Sequence, residues 1–436
     1  MSEPGPASTA SQRRVLLASL VGTSVEFYDF FIYAVAASLF LGPLFFPSSS
    51  PSAQLLASYA SFGLAFVARP VGAILFGHFG DRIGRKSTLV ASLLLMGGST
   101  TLIAFLPTYD DIGWGASLML CALRMGQGLG LGGEWGGAAL LAVENAPQGW
   151  RGRFGMVPQL GAPIGFIAAN GVFLLLGTQL GPDEMLRWGW RIPFLASALL
   201  VGVGLWVRLK LTETPAFAAA LKEAPPEIVP IATVFRGHLH AVLSGTLGGI
   251  TCFAIFYLAT AFLLGYGTTA LGYGRGEFLL AQIGGTVFLA FGIALSGALS
   301  DRYSPRVVLM LGCAGTLALA GPLMAPMIES GSIGLCFVYL SIALLCMGLA
   351  YGPLGAWLPG LFPARVRYTG ASVAFNIGAI LGGAIAPFVA QTMAQAGGLA
   401  PVGLYLSGCG FISLLGLLIA PRDERRPVPA RNAGTI

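Results

Sequence analysis

Charge is what this sequence has least of. Of its 436 residues only 10% are charged and 55% are hydrophobic, whereas a soluble domain carries about 25% charged residues. A water-soluble fold of this size would lack the polar surface to cover its core, so lipid replaces water around much of the chain. Histidine is scarce: His78, His238 and His240 are the whole supply. The six cysteines (Cys121, Cys252, Cys313, Cys336, Cys346 and Cys409) all sit in apolar runs without metal-ligand spacing. They read as small core residues, not as disulfides or a zinc site. No Walker loop, Ser/His/Asp set or metal-ligand cluster occurs, so neither an enzyme nor an ATP-driven pump has support, and no cofactor is expected. The net charge is +6, but no basic stripe with interleaved aromatics accompanies it, which argues against a nucleic-acid partner. The alternating segments of about ten residues that build a membrane β-barrel are also missing.

Long apolar runs are present instead. A membrane span needs roughly 20 mainly apolar residues, and twelve such runs occur, at about 15–43, 54–79, 88–106, 116–145, 154–177, 190–209, 240–266, 278–300, 306–328, 332–361, 368–396 and 400–420. The first is too long for a signal-peptide core of about 7–15 residues and contains Glu26 and Asp29, so it reads as a retained span. With the N-terminus inside, 19 Lys and Arg fall in inner segments and 3 (Arg187, Arg191 and Arg275) in outer ones, while Arg69 and Arg124 lie within spans. The positive-inside rule therefore puts both termini in the cytoplasm. The expected class is an all-α polytopic membrane protein of twelve helices in a cell, or inner, membrane, with lipid as its solvent.

The organisation is six plus six. A cytoplasmic tail (1–14) precedes a six-helix bundle (15–209). A linker (210–239) contains Lys222, Glu223, Pro225, Pro226 and Glu227, and a second bundle (240–420) and a short tail (421–436) follow. The halves echo each other. Gly80-Asp81-Arg82 after the second run matches Ser300-Asp301-Arg302 after the eighth. Gln159-Leu160-Gly161 in the fifth matches Asn376-Ile377-Gly378 in the eleventh. Parallel six-span repeats are a transporter device, with the substrate site at their interface.

The most specific motif is Gly77-His78-Phe79-Gly80-Asp81-Arg82-Ile83-Gly84-Arg85-Lys86. Its glycines allow a tight turn at the membrane face. Asp81 is placed to meet the positive end of another helix or an Arg. Arg85 has Glu144 as the obvious carboxylate at the end of another span. This loop resembles the signature of the major facilitator superfamily, and Asp301-Arg302-Tyr303-Ser304-Pro305-Arg306 is its degenerate second copy. Glu26-Phe27-Tyr28-Asp29-Phe30, Ala68-Arg69-Pro70, Gly132-Gly133-Glu134-Trp135-Gly136-Gly137 and Trp188-Gly189-Trp190-Arg191-Ile192-Pro193-Phe194 are similar to the metabolite:proton symporter branch, which includes carriers of shikimate, citrate, 2-oxoglutarate, and proline or betaine. The resemblance covers nearly the whole chain. It implies the facilitator fold in two pseudo-symmetric bundles, proton coupling, and a gating role for Gly77, Gly80, Asp81, Arg82, Gly84, Arg85, Lys86, Glu144, Asp301 and Arg302.

Charged groups inside spans are expensive and face cavities or one another. Glu26, Asp29, Arg69, Arg124 and Glu134 are such groups, all in the first half. At about 1.5 Å per residue, Glu26, Arg69 and Glu134 share a level roughly 18 Å from the inner face. A proton site needs an acid that responds to burial and to an approaching Arg. Asp29 with Arg124 is the first choice, and Glu26 and Glu134 follow. The resemblance implies the same pair, since proton-coupled sugar carriers set a first-span Asp against a fourth-span Arg, and Arg124-Met125-Gly126-Gln127-Gly128 is similar to the signature carrying that Arg. For the substrate, Arg69 offers a cation to an organic anion, and Tyr28, Tyr33, Gln159, Tyr257 and Asn376 offer hydrogen bonds. Asn170, Gln282 and Trp357 are further polar-tipped residues within spans. Helix–helix bonding is the competing role for each.

The expected function is secondary active transport: proton-coupled import of a small polar metabolite, an organic anion or zwitterion, by alternating access, in a monomer. An antiporter, exporter or uniporter of the same fold is the nearest alternative; Gly161-Ala162-Pro163-Ile164-Gly165 weakly matches the fifth-span antiporter motif. A non-transporting membrane sensor is the alternative from another class, and the tail from Pro421 offers it no signalling domain.

Overall fold

The computed structural model describes residues 9–47, 50–83, 85–132, 134–210, 230–363 and 366–421; side chains at 9–11, 14, 15, 77–83, 85–89, 141, 207–210 and 230–232 are outside the description. The tails, most of the linker and the side chains of the motif from Gly77 to Lys86 (Asp81, Arg82, Arg85 and Lys86 among them) therefore lie outside the described residues, as does Gly84 entirely.

Among the described residues there are only helices and their connections. The membrane helices are α1 (Thr9–Leu39), α2 (Pro51–Ile83), α3 (Arg85–Ile103), α4 (Trp114–Leu131 continued by Glu134–Glu144), α5 (Arg151–Gln179), α6 (Ile192–Lys210), α7 (Leu239–Thr269), α8 (Arg275–Arg302), α9 (Pro305–Ile328), α10 (Ile333–Gly360), α11 (Arg367–Gly397) and α12 (Leu399–Ile419). Ten of these are long and apolar enough to cross a bilayer. The exceptions are α3, whose apolar part is Val90–Ile103, and α4. Exposed Leu, Val, Ile and Phe side chains cover the outside of the bundle, as lipid contact requires.

The first six helices and the last six form pseudo-symmetric bundles. Glycine sets the spacing where α2 meets α4: a methyl on Gly128 would overlap the Ala65 carbonyl, and one on Gly132 the Arg69 carbonyl. Small residues let membrane helices approach this closely, and the approach fixes Arg69 against α4. Three helices of the second bundle carry one wide turn each, at Leu258–Phe262, Thr316–Ala320 and Ile380–Ala384. Such turns free backbone carbonyls and recur at functional sites.

Candidate functional site

At the centre, between the bundles, lies a cavity with about 40 Å³ of water-accessible space, room for roughly three waters. α1 contributes Glu26, α2 Arg69 and α4 Trp135; α7 contributes Tyr257, α10 Tyr351 and α11 Ser372 with Asn376. Of the residues expected to bind substrate, Arg69, Tyr257 and Asn376 line this cavity. Gln159 stands just behind it: it accepts a hydrogen bond from Trp135 Nε1 (3.2 Å) and donates to the Tyr351 carbonyl (3.4 Å).

All five acidic and basic residues expected inside the membrane are buried: Glu26 is 7% exposed, Asp29 1%, Arg69 6%, Arg124 0% and Glu134 4%. Aromatic rings hold the two cations. Phe30 lies between them, its ring 4.6 Å from each guanidinium carbon; Phe66 covers Arg69 at 4.5 Å and Tyr33 covers Arg124 at 4.0 Å. Each such contact contributes roughly 2 kcal/mol where water is excluded. Arg124 also donates to Gln127 Oε1 (2.8 Å), and Gln127 donates to Thr100 (2.7 Å). Arg69 keeps a buried Nε without a hydrogen-bond partner, and so does the Ser372 hydroxyl. Both border the cavity. Glu134 is one residue behind the wall and accepts from Ser92 at 2.7 Å.

The expected Asp29–Arg124 pair is not formed. Asp29 accepts a 2.6 Å hydrogen bond from Ser197 on α6, and Arg124 faces α2 and the other flank of α1. The reason is helical phase. Glu26, Phe30 and Tyr33 follow one another at i, i+4 and i+7 along the stripe that meets the guanidinium groups, and Asp29 is turned about 100° from Phe30. Two substrate expectations are corrected in the same way. Tyr28 donates to the Pro193 carbonyl (3.0 Å) and Tyr33 shares a 2.7 Å bond with Ser61; both join helices away from the cavity. Sequence reasoning gave no role to Trp135, Tyr351, Ser372 or Phe375. Trp135 stacks on Phe375 with centroids 3.7 Å apart and planes 10° apart, joining the bundles beside the cavity. Ser372 was within reach of sequence, since it sits one turn before Asn376 on the same face.

The repeat reappears as reciprocal bonding. Gln159 of the first bundle donates to the Tyr351 carbonyl of α10, and Asn376 of the second donates to the Gly132 carbonyl of α4 (3.4 Å). Residues 15–224 match the family described as Sugar (and other) transporter. Over 94% of both chains, the sequence is 46% identical to the inner membrane metabolite transport protein YhjE of Escherichia coli strain K12. It is 35% identical to the shikimate transporter of the same organism, covering 97% of this chain and 98% of the relative. It is also 31% identical to the proline/betaine transporter of Salmonella typhimurium, over 95% and 85%. The fold matches the Escherichia coli xylose transporter XylE with a TM-score of 0.76 at 15% identity, over 96% of this chain and 100% of that one. The chain belongs to the major facilitator superfamily of transporters.

Side-chain bonds join the two bundles on either side of the cavity. On the outer side the wide turn of α7 presents its carbonyls to the opposite bundle. Ala261 O accepts from Ser38 (3.0 Å) and Tyr59 (2.9 Å) of the first bundle, while within the second bundle Gln282 of α8 donates to Ala259 O (2.9 Å) and Thr260 O (2.7 Å). On the inner side Asp301 caps the start of α5. Its oxygens accept from the Gly152 and Arg153 amides (2.6 and 3.3 Å), and Arg153 Nε lies 3.7 Å away. Glu144 meets Arg367 of the second bundle at 3.7 Å, while its expected partner Arg85 has a side chain outside the description. Arg302 lies over the ring of Tyr303 at 5.6 Å.

Proposed function

We propose that this facilitator imports a small carboxylate-bearing metabolite together with a proton across the inner membrane, by alternating access around the central cavity. One observation carries the reading. A buried guanidinium with an unpartnered Nε, Arg69, shares an interdomain cavity with a carboxylic acid, Glu26. A guanidinium forks onto a carboxylate in bidentate fashion, and the buried acid supplies a proton-binding group. The relatives fit this chemistry, since shikimate, proline and betaine all carry a carboxylate, and YhjE is named as an inner membrane metabolite transport protein. Proton coupling draws further support from the matched fold, which the proton:xylose symporter XylE shares.

The test is uptake into proteoliposomes with an imposed gradient, alkaline inside, using shikimate, proline, glycine betaine and, as a carboxylate-free control, xylose. The reading expects at least one carboxylate compound to enter faster with the gradient and slower with a protonophore, and Arg69→Gln to abolish that entry. Entry of xylose without entry of any carboxylate compound would overturn it. So would entry indifferent to the gradient.

A further inference from the structure

Trp135 of the first bundle and Phe375 of the second lie face to face, with centroids 3.7 Å apart and planes 10° apart. Both border the central cavity, as Arg69 does. Aromatic pairs favour offset or edge-on arrangements with centroids about 4.5–7 Å apart, because a face-to-face pair opposes two negative π faces. Neighbouring pairs keep to that range: Phe253 with Phe375 at 4.9 Å and 75°, Phe66 with Tyr257 at 5.2 Å and 89°. Trp135 is held in its pose by its edge, since Nε1–H donates to Gln159 (3.2 Å), which itself donates to the Tyr351 carbonyl. That bond occupies the only donor of the indole. What Trp135 has left to offer the cavity is its ring face, and Phe375 likewise offers only its ring.

We propose that Trp135 and Phe375 are the two halves of a cation clamp, which receives the positive end of a substrate whose carboxylate sits on Arg69. The rings stand on opposite bundles, so alternating access draws them apart. A cation is attracted to a ring face within about 6 Å of its centroid, so both rings hold one while their centroids separate to as much as roughly 12 Å. Two π faces that repel each other both attract a cation placed between them. The faces also select its chemistry. A ring is a poor hydrogen-bond acceptor, so a primary or secondary ammonium would leave buried N–H groups unpaired. A quaternary ammonium has none to leave. Glu26, the proton-binding group of the cavity, is uncharged when loaded and gives the cation no counter-charge, which leaves that part to the rings. The substrate class is a betaine: a carboxylate joined to a fully alkylated ammonium. This rests on the reading of the cavity as a carboxylate site and adds to it the group recognised at the substrate's other end and the two residues that recognise it.

Three probes separate the two ends: glycine betaine, its carbon isostere 3,3-dimethylbutanoate, and choline, which keeps the trimethylammonium without the carboxylate. Their affinities for the full-length protein in lipid nanodiscs at neutral pH are measured by titration calorimetry, with size exclusion as the control for folding. A merely apolar seam would prefer the isostere, because burying a charge is costly. The clamp predicts the reverse in wild type, glycine betaine binding at least about tenfold more tightly than 3,3-dimethylbutanoate. In Trp135→Leu and in Phe375→Leu that ratio should fall to about one or below. Trp135→Phe, which keeps a weaker cation–π face, should give an intermediate ratio, and it decides together with wild type if the leucine variants do not fold. Equal affinity of the two carboxylates in wild type, or a ratio unmoved by the ring variants, would overturn the clamp and leave the carboxylate reading standing. Binding of choline but of neither carboxylate, lost in the ring variants, would overturn the carboxylate reading and leave the clamp. Binding of none of the three would overturn both.

Discussion

Asp301 accepts a hydrogen bond from the Gly152 amide at 2.6 Å, so a carboxylate at the end of α8 caps a helix of the other bundle. This is the arrangement that the signature loop predicts for Asp81, seen in the degenerate second copy. A carboxylate at a helix start interacts with unpaired amides and with the positive end of the dipole. Loss of an N-cap costs about 0.5–2 kcal/mol. Asp301→Ala should therefore loosen the inner face by about two- to thirtyfold. Ala356→Cys, beside Gly155 at the same seam, reports it: labelling by an impermeant maleimide from the cytoplasmic side should accelerate by that factor. An unchanged rate would mean that the cap does not hold the face shut.

On the outer side two donors of the first bundle share one acceptor of the second. Ala261 O takes hydrogen bonds from both Ser38 and Tyr59. Side-chain bonds inside membranes average about 0.6 kcal/mol, so Tyr59→Phe alone should shift the closed state roughly threefold. Removing both donors exposes the carbonyl of a wide turn to a dry interface, which costs about 1–3 kcal/mol. Ser38→Ala combined with Tyr59→Phe should thus exceed the sum of the two single changes. Spin-label distances between the outer ends of α1 and α7 would check this; strictly additive shifts would argue against a shared acceptor.

Glycine spacing gives a matched pair of stability predictions. An alanine at Gly171 meets nothing within 4 Å, and Gly→Ala in a helix is favourable by up to about 1 kcal/mol. At Gly132 the same change drives a methyl into the Arg69 carbonyl, and overpacking costs about 1–3 kcal/mol. Thermal unfolding followed by size exclusion should show Gly171→Ala at or above wild type and Gly132→Ala below it. Gly132→Ala should also weaken substrate binding, because it moves the backbone that carries Arg69.

How far the sequence was legible follows from where its signals lie. Spans and orientation came from hydropathy and the placement of Lys and Arg, which lipid enforces directly. The duplication was visible in Gln159 and Asn376, and the structure expresses it as two reciprocal bonds across the interface. Depth was legible too: helical rise placed Glu26 and Arg69 at one level, and they share a cavity. Helix phase was not. α1 is apolar on nearly every side, so no amphipathic stripe says which flank meets α6 and which meets α4. Asp29 was accordingly paired with Arg124 when its partner is Ser197. The Trp135–Phe375 stack was out of reach for a different reason, as a contact between distant residues leaves no local pattern.

Accumulation against exchange in Glu26→Gln is the most direct test of the central claim, that a carboxylate on Arg69 and a proton on Glu26 travel together. An amide at this position mimics the protonated acid and cannot release a proton. The variant should exchange labelled for unlabelled substrate at a rate near wild type, yet fail to accumulate substrate when a pH gradient is imposed. Accumulation by Glu26→Gln at the wild-type level would contradict the account.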